Sequence, residues 1–117
     1  MMIWLSASAI TLAALQASIN APTSEFRGCL REATAKASSE KIGPDAIEAY
    51  LRGACTMQAQ SLRNALIAFR LKNGMGKKAA AEDASMTVDD YVATPVENFK
   101  FMSTMNAPAQ GQASPPK

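Results

Sequence analysis

Histidine is absent from the 117 residues. Its absence excludes Ser-His-Asp and Cys-His nucleophilic sites, His-ligated zinc and the usual general base near neutral pH. Only two cysteines occur, Cys29 and Cys55. They are too far apart for a C-x-x-C redox motif and too few for a cysteine-rich zinc site. Aromatic residues make up 6% of the chain, and no Lys/Arg-rich run interleaves with them. With a net charge of only +2, nothing points to a nucleic-acid partner. Met1 to Ser24 carry no charge of either sign.

Fragments of catalytic or metal-binding patterns are equally thin. Gly74-Met-Gly76 before Lys77 lacks the spacing and the preceding strand of a phosphate loop. Neighbours on a helix point about 100° apart, so Glu82-Asp83 and Asp89-Asp90 read as solvated faces or helix-start charges, not as paired acid–base groups. Thioethers suit copper(I), and Met102 and Met105 have helical i, i+3 spacing. With Met75 and Met86, however, they read as gap fillers in an alanine-rich core. The expectation is a non-enzymatic protein with no catalytic residue, no cofactor and no metal.

What is present begins with an apolar run. Ile3 to Leu15 has the length of a signal-peptide h-region and is short of the roughly 20 apolar residues of a membrane span. Ser6, Ser8, Thr11, Gln16 and Asn20 weaken the spanning reading further. The best cleavage point follows Ala17, with Leu15 at the minus-three position, although no Lys or Arg precedes the run. Residues 1–17 are therefore read as a signal-peptide-like segment and 18–22 as a short linker. The alternatives are an uncleaved membrane anchor through residues 3–20 and an ordinary buried first helix.

Residues 23–105 read as one small helical domain and 106–117, rich in Pro, Gln, Ala and Gly, as a disordered tail. Thr23 or Ser24 caps a helix over about 24–38, with Phe26, Cys29, Leu30, Ala33 and Ala37 on one face. Pro44 suits the first turn of a second helix over about 44–72. Its face carries Ile47, Leu51, Ala54, Cys55, Gln58, Leu62, Ala65, Leu66 and Phe69, and a thinner second face holds Tyr50, Met57, Ala68 and Leu71. Capping patterns at Thr87 and Thr94-Pro95 predict a third helix over about 77–92 and a short fourth over about 95–105. On these helices Met86, Val88, Tyr91, Val92, Val96, Phe99 and Met102 pack inward.

An antiparallel pair turning near Ile42 brings together residues whose numbers sum to about 84. Cys29 and Cys55 satisfy this sum, as do Ala33 with Leu51 and Ala37 with Ile47. The predicted fold is all-α: a helical hairpin stapled by a Cys29–Cys55 disulfide and covered by one or two C-terminal helices. A disulfide places the protein in an oxidising compartment, periplasmic or secreted.

Charge is divided along the chain. Glu25 to Lys78 holds ten Lys/Arg and five Asp/Glu, whereas Ala79 to Asn106 holds one Lys and five acids. Arg52, Arg63 and Arg70 fall on one side of the second helix. This ridge either pairs with the acidic C-terminal half or contacts an anionic envelope or protein partner. The functional expectation is a structural or binding role in the cell envelope, the rivals being a membrane-anchored envelope component and a small periplasmic chaperone-like module. A membrane partner is expected only if the N-terminal segment is retained.

Overall fold

Four helices follow one another in the computed structural model: α1 (Met2–Ser39), α2 (Ile47–Ala54), α3 (Thr56–Lys72) and α4 (Lys77–Gln112). The structure describes the backbone of residues 2–112 and the side chains of residues 18–105, and no strand occurs among the described residues. α1 packs against α2 and α3, and α4 packs against the other three. The all-α architecture expected from the sequence is the one observed.

Two tight reversals give the fold its shape. After α1, Ile42 N–H donates to the Ala37 carbonyl at 2.9 Å and Lys41 N–H to that of Ser38 at 3.2 Å. Lys41 sits at φ 60°. This is the Schellman arrangement with a left-handed C′ residue, and the following apolar residue, Ile42, packs on the core as such motifs favour. After α3 the same pair of bonds recurs, Met75 N–H to Arg70 at 3.0 Å and Gly74 N–H to Leu71 at 3.1 Å. Here the left-handed residue is Gly74, at φ 94°, where the missing Cβ removes the steric cost.

Element boundaries differ from those read in the sequence, and hydroxyl chemistry accounts for part of the difference. Thr23, Thr34, Thr87 and Thr104 each donate to the carbonyl four residues back. A threonine used in this way sits inside a helix and caps nothing. α1 therefore runs through Thr23 instead of starting there, and residues 18–22, expected as a linker, form part of it with Pro22 inside. α4 likewise passes Thr87 and Thr94-Pro95 without interruption. A proline inside a helix costs about 3 kcal/mol, and the burial of Val92, Val96 and Phe99 on either side of Pro95 holds the segment in place.

The expected second helix is two. Residues 44–46 form a turn closed by Ala46 N–H to the Gly43 carbonyl at 3.0 Å, so Pro44 precedes α2 instead of opening it. A second interruption falls on Cys55, at φ −116° and ψ 28°. The hydrogen bonds Cys55 N–H to Leu51 and Ala59 N–H to Cys55 nevertheless persist, so the chain direction is kept. Helical backbone in α4 continues to Gln112, into the segment expected to be a disordered tail. Residues 113–117, and the side chains of 1–17, lie outside the described residues.

The core contains Phe26, Leu30, Ala33 and Ala37 from α1, Ile47 and Leu51 from α2, Cys55, Leu62 and Leu66. From α4 it takes a series at nearly regular spacing: Ala84, Val88, Val92, Val96 and Phe99. Steps of four advance about 40° around a helix, so this stripe winds and lets α4 meet different neighbours along its length. No polar side chain is buried among the described residues. The thinner second face of the central helix is largely uncovered: Met57, Ala68 and Leu71 are exposed and Tyr50 is half-buried. Met86 and Met102, expected to pack inward, are exposed as well, because the four-residue stripe passes them by.

Candidate functional site

Cys29 on α1 and Cys55 at the junction of α2 and α3 are bonded to each other, with an S–S distance of 2.05 Å and Cα atoms 5.9 Å apart. Cys55 is fully buried and Cys29 half-buried. Their role is structural, since a closed disulfide offers no thiolate for catalysis or metal binding.

The arginine ridge turns toward α4. Arg52 donates from Nε to Glu48 and from Nη1 to Asp89, both at 3.0 Å. Arg63 Nε donates to Ser85 Oγ at 2.9 Å, and Arg70 Nε donates to the Asp83 carboxylate. Burial alone lowers the Arg52 pKa, but its hydrogen bonds to Glu48 and Asp89 and their charges outweigh that effect and raise it. Arg52 and Arg70 thus pair with acids of the C-terminal half, and Arg63 with a hydroxyl there. The basic and acidic parts of the sequence meet in this seam.

With the ridge engaged, the guanidiniums left with neither a hydrogen-bond nor an ion-pair partner among the described residues are Arg27 and Arg31, one helical turn apart on α1. Both border a cavity of about 570 Å³ between α1 and α4. Its α1 wall includes Leu30, Thr34 and Ala35, and its α4 wall Tyr91, Pro95 and Asn98. The same two arginines border a second depression of about 300 Å³, toward the N-terminus of α1, with Asn20, Thr23 and Ser24. No aspartate or glutamate lines either cavity.

Local packing fixes part of this site. Tyr91 sets its ring edge-on to buried Phe26, with centroids 6.3 Å apart and planes at 78°. The Arg27 guanidinium lies 6.0 Å from the Tyr91 ring centroid, within cation–π range. Thr34 and Thr23 already spend their hydroxyl protons on the Leu30 and Ile19 carbonyls, so toward the groove they offer only acceptor lone pairs. The Ser24 hydroxyl and the Asn20 side-chain amide make no hydrogen bond within the described residues and remain available as donors.

Helical spacing in the sequence marks Arg52, Arg63 and Arg70, which close the fold, and does not mark the pair that borders the groove. A signal was present: Arg27 and Arg31 form a like-charged i, i+4 pair, which costs an isolated helix a few tenths of a kcal/mol. They also flank Leu30, which is buried.

No group of three or more metal-ligating side chains occurs among the described residues. Among the same residues no helix is long and apolar enough to cross a membrane. The side chains of the Ile3–Leu15 run lie outside them. No protein-family profile matches the chain, and neither the curated proteins nor the solved structures contain a significant match.

Proposed function

We propose that this chain is a small, exported, non-enzymatic protein of a bacterial cell envelope, periplasmic or secreted, that acts by binding. The observation that carries the reading is the Cys29–Cys55 disulfide, a cross-link that persists in oxidising compartments and is rare in the cytosol. The uncharged, apolar segment before Ala17 supports it as a signal peptide. The groove bordered by Arg27 and Arg31 supports binding as the mode of action, being concave and of mostly apolar surface with polar groups set into it.

Intact mass of the protein recovered from its native source, measured with and without reductant, tests the reading. The expected result is a chain beginning after Ala17 that gains two hydrogens on reduction. A chain retaining residues 1–17 with the disulfide closed supports the membrane-anchored alternative, and a chain with free thiols overturns export.

A chaperone-like role is a second reading, favoured by one observation. Met57, Met86, Phe101, Met102 and Met105 are each more than half exposed, an unusual amount of large apolar side chain left in water. Suppression of aggregation of an unfolding client at stoichiometric ratios supports this role, and no effect removes it.

A further inference from the structure

We propose that the α1–α4 groove is a binding site for a single-chain anionic amphiphile, with its oxyanionic head held at Arg27 and Arg31 and its apolar body laid along Ala35, Tyr91 and Pro95. The proposal rests on the reading of the protein as a binding module but not on its export.

Three features define the occupant. The first is charge: two arginines one turn apart border both cavities, and neither has a carboxylate partner among the described residues. Every arginine of the α2–α3 ridge, by contrast, has a partner on α4. Guanidinium forks match carboxylate or phosphate oxygens, so the head is an oxyanion.

The second feature is the division of polarity. The smaller depression adds Ser24 and Asn20 as donors beside the arginines. The larger one, which the arginines also border, is lined by Leu30, Ala35, Tyr91 and Pro95 together with Thr34, Ser38, Thr94 and Asn98, and its surface is mostly apolar. A ligand complementary to both has one polar end and one apolar body. The third is size: about 570 Å³ falls in the range of small-molecule sites. Arg27 is further restrained by its position over Tyr91, so less side-chain entropy is lost on engaging a head group.

The test uses the full chain with its disulfide closed, titrated calorimetrically with decanoate below its micelle concentration. Decyl phosphate, 1-decanol, acetate and inorganic phosphate form the comparison arms. Decanoate or decyl phosphate is expected to bind saturably at one site, the tighter of the two identifying the head. Each should perturb the amide resonances of Thr34, Tyr91 and Asn98. Acetate, inorganic phosphate and decanol should each bind at least about tenfold more weakly, because each lacks one half of the recognition.

Replacing Arg27 and Arg31 together by Ala should weaken decanoate by about tenfold or more. Both side chains are exposed, so the thermal transition should survive. Ala35→Trp, also at an exposed position, should block the groove with the arginines intact. Equal binding of decanol, equal binding of acetate or phosphate, or an unchanged affinity in either variant overturns the proposal. So do perturbations centred on Met57, Met86 and Phe101. A negative result leaves the mass measurement of the native protein intact, and a reduced or uncleaved native chain leaves the decanoate result intact.

Discussion

Arg52 Nη1 lies 3.0 Å from Asp89 Oδ1, joining residues 37 positions apart across the contact between α2 and α4. The same guanidinium holds Glu48 within its own helix at 3.0 Å. The Arg52 and Asp89 side chains are 42% and 58% exposed, so water screens the pair and its coupling should be small. A double-mutant cycle with Arg52→Ala and Asp89→Ala, read by urea unfolding, should give about 0.2–1 kcal/mol, falling as salt is added. Arg70 with Asp83, at 29% and 40%, is more sheltered and should couple more strongly.

Loss of the cross-link should have a larger effect. The disulfide closes a loop spanning 26 positions, for which chain entropy predicts about 3.5 kcal/mol of stabilisation. The chain with Cys29→Ala and Cys55→Ala should lose about that amount in urea unfolding relative to the oxidised protein, a large fraction of the 5–15 kcal/mol of ordinary domains. A loss below about 1 kcal/mol would mean that the unfolded chain already keeps α1 near α2.

Burial separates residues that composition treats alike. Leu62 is fully buried and Met57, on the same helix, is 78% exposed. Leu62→Ala should therefore destabilise by about 2–5 kcal/mol, whereas Met57→Ala should stay within about 0.5 kcal/mol. Comparable effects at both positions would show Met57 covered in solution, by a second copy or a client.

Alkaline titration should detect Tyr50 as a late-ionising phenol. Desolvation raises the Tyr50 pKa above its ordinary 10.0. The charge of Glu40 and the bond that Tyr50 Oη donates to Glu40 Oε1 at 3.3 Å act in the same direction. A group whose pKa is higher in the folded state contributes stability below its unfolded pKa and loses it as pH rises through the folded value. Phenolate absorbance should show one tyrosine ionising later than a free phenol. Tyr50→Phe should remove that late component, and Glu40→Gln should move it toward the ordinary value.

The apolar faces were legible because one chemical rule governs them. Phe26, Leu30, Ala33, Ala37, Ile47, Leu51, Leu62 and Leu66, marked by helical spacing, are buried, whereas Ala54 on the same expected face is exposed. The cysteines, placed by a turn located independently at Gly43-Pro44, form the expected bond. Helix ends were not legible, because threonine has two uses. At Thr23 and Thr87 the hydroxyl bonds backward within a helix, and only tertiary packing decides between that bond and a cap. The left-handed residue at the first turn is Lys41, which no composition rule favours over Gly43. The groove escaped notice because it belongs to the spacing between α1 and α4, and the sequence pattern fixes which faces are apolar but not how far apart two helices stand.

The position of the staple also bears on the order of assembly. Its sulfurs belong to residues 29 and 55, so a chain emerging from its N-terminus can lock α1 to the central helix before any of α4 has appeared. When oxidation comes first, α4 arrives at a partner already fixed in place. Its acidic groups Asp83 and Asp89 meet arginines waiting on that partner, and its valine stripe finds its docking surface already assembled. The late segment has only to dock, while the slow covalent step is confined to the first half of the chain.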